Sequence, residues 1–252
     1  MKIVRYQNNE NREEYGILSD ERIRVIEGTP YSDIIKKTDR YRDTSEVKLL
    51  APCLPSKVVA LGVNYRSHGE EMSHRIPAEP LIFIKPSTSV IGPGDGIVYP
   101  ESSKRVDYEG ELGVVIKTVT RHVSREEAPA YILGYTCVND VTARDIQASD
   151  KQWTRSKSFD TFCPIGPCIE TELDPDNAEL ETLLNGQIKQ KTSTSDLIFP
   201  VYELVSFIST VMTLLPGDVI ATGTTSGVGP MQPGDTVEVR IENIGTLRNH
   251  VV

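Results

Sequence analysis

The chain has 252 residues, of which 38% are hydrophobic and 25% are charged, a composition typical of a soluble globular protein with one large domain, or one domain and a small appendage. The net charge of -9 and the lack of a dense basic patch argue against nucleic-acid binding, and they mean that an acidic substrate would need a local cation. No apolar run of 18 residues and no signal peptide are evident, and the four cysteines form no CxxC pair, so we expect no membrane partner and a reduced, cytoplasmic setting.

Residues 1–50 are predicted to form a small N-terminal domain that contains β-strands. Within it, KIVRY, YGILSD and RIRVIEG show the alternation of strands, and YSDIIKKT (31–38) is interpreted as a helix. The stretch APCLPSK (51–57) carries two prolines and has the composition of a linker. We therefore expect a larger catalytic domain over residues 51–252.

Turn signals divide the rest of the chain. VVALGVNY (58–65) is predicted to begin as a buried strand, and PLIFIKP (80–86) is a second apolar run, bounded by prolines. Asn185-Gly186 is the strongest short signal for a β-hairpin. The tripeptide Pro-Gly-Asp suits a type II turn, and it occurs at residues 93–95, 216–218 and 233–235.

Few helices are predicted. One follows Pro200 and ends at Pro216-Gly217, and VTARDIQAS (141–149) is a second. The first helix has an apolar stripe typical of core packing, made of Val201, Leu204, Val205, Ile208, Val211, Met212 and Leu215. Because helices do not alternate regularly with strands, the fold class is predicted to be α+β and strand-rich, not a doubly wound α/β fold.

Three carboxylates occupy alternate positions in RVDYEGELGVVI (105–116). If this stretch is a strand, then Asp107, Glu109 and Glu111 share one face with Cα atoms ~7 Å apart, and adjacent pairs repel by roughly 2 kcal/mol. Full solvation or a bound cation would relieve this repulsion. Since LGVVI looks buried, Glu111 approaches the interior, which favours a cation.

An all-oxygen site suits Mg²⁺, Mn²⁺ or Ca²⁺, and none of the four histidines is spaced as part of a zinc pair. A further carboxylate ligand is therefore expected elsewhere in the chain. GYTCVNDVTARDIQ offers Asp140 and Asp145 at a strand-to-helix junction, although Asp140 could equally be a helix N-cap.

Other polar groups have two interpretations each. His68 and Glu71 are three residues apart, as in a general base oriented by a carboxylate, or they form a surface ion pair. Lys157 is a surface lysine or, if buried beside a metal, a group that holds developing negative charge. The loop ATGTTSGVGP (221–230) matches neither a Rossmann nor a P-loop motif, and it is either structural or a substrate-lining loop with threonine hydroxyls.

Taken together, these segments resemble the fumarylacetoacetate hydrolase family, in particular the acylpyruvate hydrolase and 2-hydroxyhepta-2,4-diene-1,7-dioate isomerase type. The resemblance covers everything after the linker and rests on motifs that occur in order. These are GVNYRSHGEEM, FIKPSTSVIGPGD, RVDYEGELGVVI, GYTCVNDVTARDIQ, RSKSFDTFCPIGP, NGQIKQKTSTSDLIF, LLPGDVIATGTTSGVGP and IGTLRN.

The resemblance implies a mixed β-roll fold and a set of site residues. It implies that Glu109, Glu111 and Asp140 bind a divalent metal, usually Mg²⁺, whereas Asp107 belongs to the pattern without being a ligand. It implies a catalytic role for a His68–Glu71 dyad that activates water and for Lys157 beside the metal. It implies substrate contacts from Arg144, Gln147 and Thr224.

The resemblance also implies a homodimer and a reaction on a small anionic substrate. The substrate would be a 2-oxo acid or 1,3-dicarbonyl from aromatic catabolism, cleaved by C–C hydrolysis through a metal-bound enolate. Isomerisation or decarboxylation would use the same groups, so both stay open. A non-catalytic metal- or ligand-binding protein is the alternative of another class, and a general base argues against it.

Overall fold

The structure is a computed structural model that describes residues 1–67 and 77–252. Strands dominate the described residues: β1 Lys2–Gln7, β2 Glu13–Ser19, β3 Arg22–Glu27, β4 Lys36–Asp43, β5 Lys48–Leu50, β6 Lys57–Leu61, β7 Ile82–Pro86, β8 Val90–Ile91, β9 Gly96–Ile97, β10 Val106–Tyr108, β11 Gly110–Ile116, β12 Ile132–Asn139, β13 Thr142–Ala143, β14 Cys163–Glu170, β15 Glu179–Leu184, β16 Gln187–Ser193, β17 Val219–Thr224, β18 Gly229–Met231, β19 Thr236–Ile241 and β20 Gly245–Val251. The α-helices in the described residues are α1 Arg144–Ser149, α2 Thr154–Lys157 and α3 Val201–Val211, with short 3₁₀ turns at Thr44–Glu46, Ser87–Ser89, Ala128–Tyr131 and Thr194–Asp196.

The described strands form three sheets, which confirms the strand-rich α+β prediction. The largest has twelve strands in the order β4-β3-β2-β1-β14-β12-β11-β17-β6-β7, with β5 paired to β1 and β8 to β14. A five-stranded sheet has the order β16-β15-β19-β20-β9, and a three-stranded sheet the order β13-β10-β18. The first strand pairs with β14, at Lys2 opposite Glu170, so the N-terminal strands continue the large sheet. The division at residues 50 and 51 stays a prediction.

Strand β11 is buried on both faces. Leu112 and Val114 belong to one apolar cluster, and Val115 belongs to another with Val138 of β12. A strand that is covered on both sides has a continuous apolar sequence, because neither face meets water. This explains LGVVI, and it means that any polar side chain at the start of β11 enters a dry region.

The helix predictions are partly right. Helix α3 begins at Val201, directly after Pro200 as predicted, but it ends at Val211 because Met212 is extended and Leu214 pairs as a β-bridge with Thr120. The helix predicted over 141–149 begins only at Arg144, after the short strand β13.

The helix predicted at 31–38 is wrong. Its second half opens strand β4, which pairs antiparallel with β3. Because β3 needs a partner for its backbone groups, cross-strand hydrogen bonds override a short segment that has only weak helical signals. On the same hairpin the Tyr41 ring lies 4.8 Å from the guanidinium carbon of Arg22, which adds a cation–π contact.

The predicted turns are present. Gly94, Gly217 and Gly234 have φ of 79°, 88° and 95°, the left-handed value that the third position of a type II turn requires. In each turn the aspartate carboxylate accepts the backbone N–H three residues before it, as Asp218 does from Leu215 at 2.9 Å. Asn185-Gly186 connects β15 to β16 in a hairpin, as predicted.

Of the three turn aspartates, Asp218 accepts the most hydrogen bonds from the described residues. Its fully buried carboxylate also accepts from the backbone of Ser56 at 2.9 Å and pairs with the ammonium of Lys57. Burial alone would raise the pKa of Asp218, but the hydrogen bonds from Lys57, Leu215 and Ser56 hold it below its ordinary value. The ionised form therefore stabilises the fold above the unfolded pKa of about 4, and this contribution is lost as the pH falls through the lower, folded-state pKa.

We expect Asp218→Asn to lower the free energy of unfolding by about 2–4 kcal/mol at pH 7, because an amide cannot accept all of these hydrogen bonds or pair with Lys57. The difference from wild type should shrink under acid. Urea denaturation from pH 7 to pH 3 measures both effects, with Asp39→Asn at a fully exposed carboxylate as the control. A loss that does not depend on pH would contradict the role assigned to the charge.

Candidate metal centre

Glu109 lies where the chain passes from one sheet to another. It separates β10 of the three-stranded sheet from β11 of the large sheet. The backbone N–H of Glu109 donates to Asn139 Oδ1 at 3.0 Å, and its carbonyl accepts from the N–H of Asp140 at 2.8 Å. These bonds satisfy the backbone at the break and fix Glu109 against the end of β12.

Strand register brings the third carboxylate to the first two. In the antiparallel pair β11–β12, Gly110 lies opposite Asn139 and Glu111 opposite Val138, so Asp140 follows directly beside Glu109. All three carboxylates are buried, and one oxygen from each of Glu109, Glu111 and Asp140 lies within 4.8 Å of the others. Burial excludes the solvated-strand interpretation.

The alternatives for the two aspartates are also resolved. Ala143, not Asp140, is the N-cap residue of α1, and the Ala143 side chain makes no capping hydrogen bond. Asp145 accepts from the Ser103 hydroxyl at 2.7 Å and from the backbone of Lys104 at 2.9 Å. Asp140 is therefore the aspartate of this junction that joins the two glutamates.

Two buried lysines face the triad. The ammonium of Lys157 donates to Glu109 Oε2 at 2.9 Å and to Asp140 Oδ2 at 2.6 Å. Lys85, fully buried, pairs with the other oxygen of Asp140 and donates to the carbonyl of Val141 at 3.1 Å. Burial would lower the pKa of Lys157, but the charges of Asp140 and Glu109 raise it above its ordinary value, so the ammonium stays charged.

The two glutamates differ in charge environment. Burial would raise the pKa of Glu109, but the charges of Lys157 and Arg144 outweigh it and hold that pKa below its ordinary value. Burial and the charges of Asp140 and Glu109 raise the pKa of Glu111 well above its ordinary value. Among the described residues, no cation forms an ion pair with Glu111, whereas Glu109 pairs with both Lys157 and Arg144.

The oxygens of Glu111 support a cation site. Glu111 Oε2 accepts from the backbone N–H of Gly223 at 2.8 Å, whereas Oε1 is buried and has no hydrogen-bond partner among the described residues. A buried carboxylate oxygen without a partner is costly unless a cation compensates it. Three carboxylates offer hard oxygen ligands, so the donor set fits Mg²⁺, Mn²⁺ or Ca²⁺.

Asp107 lies outside the triad and is connected to it through Arg144. It forms a two-pronged ion pair with Arg105 at 2.9 and 3.0 Å, and it accepts from Arg144 Nε at 3.0 Å. Arg144 in turn donates to Glu109 Oε1 at 2.5 Å and to Gln147 Oε1 at 2.6 Å. Burial lowers the pKa of Arg144, but Glu109 and Asp107 together raise it, so this guanidinium is a fixed positive charge.

Thr224 lies next to the triad but uses its hydroxyl within the protein. The hydroxyl donates to the carbonyl of Gly110 at 2.9 Å and accepts from Gln190 Nε2 at 2.8 Å. Gln190 also accepts from the backbone N–H of Gly110 at 3.0 Å and so connects the start of β11 to the end of β17. A substrate contact by Thr224 stays a prediction.

A pocket of about 480 Å³ opens beside Glu109. Its lining residues are Leu61, Gly62, Val63, Phe83, Glu109, Arg144, Gln147, Ala148, Trp153 and Lys157. The predicted Lys157, Arg144 and Gln147 therefore share one pocket with Glu109 of the triad. His68 and Glu71 lie outside the described residues, so their dyad stays a prediction.

Sequence reasoning missed Lys85. Its signal was present, since the apolar run LIFIKP predicts a strand, and a lysine whose side chain such a strand directs into the protein needs a buried counter-ion. We expect Lys85→Met to lower the free energy of unfolding by about 3–5 kcal/mol, because it removes one partner of a buried ion pair.

Urea denaturation of Lys85→Met should be compared with that of Lys191→Met. Lys191 pairs with Glu181 at 2.9 Å, but its side chain is 60% exposed. We expect that control to lose less than about 1 kcal/mol. Equal losses in the two variants would contradict the importance of the buried pair.

A family model described as fumarylacetoacetate (FAA) hydrolase C-terminal matches residues 57–252. The chain belongs to the fumarylacetoacetate hydrolase family. The resemblance drawn from the motifs is thereby confirmed. A second model, described as Rv2993c-like, N-terminal, matches residues 1–52.

Relatives within the fumarylacetoacetate hydrolase family include named enzymes. The structure of a 5-carboxymethyl-2-hydroxymuconate delta-isomerase from Mycobacterium smegmatis is 44% identical, with a TM-score of 0.94 over 100% of this chain and 99% of that one. A 2-hydroxyhepta-2,4-diene-1,7-dioate isomerase from Mycobacterium marinum is 45% identical, with a TM-score of 0.93 over 100% and 98%. The mitochondrial oxaloacetate tautomerase Fahd2a of Rattus norvegicus is 41% identical over 82% of this chain and 70% of its own. The predicted fold family is thus confirmed.

Among the described residues of this family member, none of the helices has the length and apolar character needed to span a membrane.

Proposed function

We propose that this family member is a Mg²⁺-dependent enzyme that hydrolyses a C–C bond of an acylpyruvate-like 2-oxo acid or 1,3-dicarbonyl. The observation that carries the proposal is the buried triad beside a pocket that also presents Lys157 and Arg144. In this triad Glu111 Oε1 lacks a partner among the described residues. A purely structural cluster would satisfy each of its buried carboxylate oxygens within the protein. Here Glu111 Oε1 has no hydrogen-bond partner in the part of the chain that the structure describes, and the cluster lies next to a pocket of substrate size.

Glu109, Glu111 and Asp140 would hold the metal. Mg²⁺ is proposed because it binds to few carboxylates and leaves positions for a substrate, whereas Mn²⁺ and Ca²⁺ accept the same oxygens. When bound, such an ion acts as a Lewis acid that polarises a carbonyl oxygen and stabilises an enolate.

Lys157 and Arg144 are the proposed binding groups for an anionic substrate. Both line the pocket, and both keep their positive charge through contacts with Glu109. An ammonium in a buried site stabilises a developing oxyanion strongly, since no water screens it. Gln147, whose side-chain oxygen accepts a hydrogen bond from Arg144, is proposed to hydrogen-bond a second oxygen of the substrate.

His68, oriented by Glu71, is the proposed base that deprotonates the attacking water. The water would add to the distal carbonyl, and cleavage of the C–C bond would release an enolate that takes up a proton to become pyruvate. Hydrolysis consumes one water, and its products are pyruvate and a carboxylic acid. The homodimer, the cytoplasmic setting and a place in aromatic catabolism are proposed with this function.

Isomerisation is the second candidate, and the names of the mycobacterial isomerases and of the rat tautomerase favour it. Tautomerisation and decarboxylation pass through the same enolate and differ only in the proton step or the leaving group. Lys157 and Arg144 would serve each of these reactions in the same way, so product analysis has to decide.

The test is to incubate the metal-loaded protein with acetylpyruvate, oxaloacetate and a 2-hydroxydienoate and to identify the products. We expect acetate and pyruvate from acetylpyruvate. Isomerised dienoate without cleavage of acetylpyruvate would favour the second candidate. Tight binding without turnover of any substrate would indicate a non-catalytic binding protein.

We expect His68→Ala to reduce hydrolysis by at least about 100-fold while it spares decarboxylation of oxaloacetate, because only hydrolysis needs an activated water. Steady-state rates of both reactions measure the difference. Equal losses in both reactions would contradict the water-activating role of His68.

A further inference from the structure

The candidate pocket has a charged end and an apolar end. Among the described residues that line it, the cations are Arg144 and Lys157, and both contact the same carboxylate, Glu109. The remaining wall is largely apolar, formed by Leu61, Val63, Phe83, Ala148 and Trp153. The positive charges are therefore concentrated at the triad.

The backbone of Trp153 is hydrogen-bonded to the backbone of Lys157, which lies at the charged end of the pocket. Its carbonyl accepts from the N–H of Lys157 at 3.0 Å and from the hydroxyl of Ser156 at 2.9 Å. The short helix α2 begins immediately after Trp153 and ends at Lys157. One helical turn thus fixes the distance between the apolar wall and the substrate-binding ammonium.

Phe83 connects the two ends. Its ring lies 5.3 Å from the Trp153 ring in an edge-to-face arrangement with an interplanar angle of 80°. The ammonium of Lys157 lies 5.2 Å from the centre of the same Phe83 ring. Such aromatic contacts favour one orientation of the Trp153 side chain, so the indole forms a fixed part of the pocket wall.

Because Gly62 has no side chain, the indole of Trp153 can pack against the backbone at this position. A Cβ at this position would come within 3.1 Å of two atoms of the six-membered ring of Trp153 and within 2.9 Å of Leu81 Cδ2. The φ of Gly62 is not in the left-handed region, so the glycine is required by close approach and not by backbone conformation. The Trp153 ring is seated directly against the backbone of residue 62.

We propose that Trp153, seated on Gly62 and braced by Phe83, is a specificity-determining residue that selects substrates whose distal group is uncharged and apolar. The inference rests on the proposed function and concerns the substituent that the 2-oxo acid head carries. A 1,7-dioate has a carboxylate at each end. Its second carboxylate would lie against the indole wall without a cationic partner from the described lining residues, which disfavours its binding.

The test uses two 2,4-dioxo acids of equal chain length, one ending in a methyl group and one in a carboxylate. For wild type we expect kcat/KM for the methyl-ended acid to exceed that for the carboxylate-ended acid by at least about tenfold. Trp153→Ala should reduce this ratio by roughly tenfold, mainly through KM of the methyl-ended acid, because it removes apolar contact area. Trp153→Phe should retain most of the ratio.

Gly62→Ala is a second variant. It tests the packing of Trp153 against residue 62 without removing the indole. A methyl group there displaces the Trp153 ring, so the ratio of kcat/KM for the methyl-ended acid to that for the carboxylate-ended acid should fall below the wild-type ratio. Circular dichroism and thermal denaturation verify that each variant is folded. Loss of activity on all substrates in equal proportion would contradict a role in specificity.

The outcomes separate the inference from the function on which it rests. A wild-type preference for the carboxylate-ended acid would overturn the inference and leave the proposed function standing. If wild type turns over neither acid, the proposed function fails. Isothermal titration with the two acids then measures whether the methyl-ended acid binds more tightly, and equal or weaker binding of that acid would overturn the inference as well.

Discussion

Replacing Glu111 with glutamine is expected to abolish metal-dependent activity and, at the same time, to make the metal-free protein more stable. Glu111 is a buried carboxylate beside Glu109 and Asp140, and one of its oxygens has no partner among the described residues. Glutamine retains an oxygen for the N–H of Gly223 and removes the repulsion. We expect kcat to fall by at least about 1,000-fold and the free energy of unfolding in EDTA to rise by about 1–2 kcal/mol, as is common when a strained functional group is neutralised.

Thermal denaturation with EDTA and with excess Mg²⁺ measures the effect of Glu111→Gln. Wild type should gain about 2.7 kcal/mol at a Mg²⁺ concentration of 100 Kd, and the variant should gain almost nothing. Glu172→Gln is the control, because 82% of that side chain is exposed. If the variant were less stable than wild type in EDTA, Glu111 would be a structural residue and its assignment as a ligand would lose its main support.

Replacing Lys157 with methionine is expected to lower kcat/KM by roughly 100- to 1,000-fold, the range seen when one donor to a developing oxyanion is removed. Methionine has a similar volume, so the pocket keeps its shape beside Phe83. In EDTA the variant should lose about 3–5 kcal/mol of stability, because Glu109 and Asp140 both lose a buried counter-ion.

Lys157→Met should still bind the metal, which distinguishes it from Glu111→Gln. Addition of Mg²⁺ should therefore restore much of the stability that was lost in EDTA, while activity stays low. Lys104→Met, at an exposed lysine outside the pocket, serves as the control. Full activity of Lys157→Met in the presence of Mg²⁺ would contradict the assigned role, whatever its stability.

The ligand triad was predicted partly from strand alternation and partly from the resemblance to the family. Strand alternation predicted that Glu109 and Glu111 share a face, and burial of LGVVI predicted that Glu111 lies in the interior, as the structure has it. The separation of Asp107 from the triad depends on Arg144, which comes 37 residues later in the chain. No local pattern encodes that contact, and only the resemblance to the family left Asp107 outside the ligand set.

Contacts between distant residues account for what sequence reasoning missed. Lys85 reaches Asp140 across 55 residues, and Gln190 reaches Thr224 across 34. The helix predicted at 31–38 is a strand because β3 supplies its partner, which local propensity does not record. Turns, in contrast, were predicted correctly, since Pro-Gly-Asp and Asn-Gly specify backbone conformation within four residues.

Calorimetric titration of the EDTA-treated protein with Mg²⁺, and then with Mn²⁺, tests the metal centre most directly. We predict one site per chain in wild type, no measurable binding in Glu109→Gln, Glu111→Gln or Asp140→Asn, and tighter binding when oxalate is present as a mimic of the pyruvate enolate. Absence of binding in wild type, or binding that survives all three substitutions, would contradict the assignment of these carboxylates as the metal site.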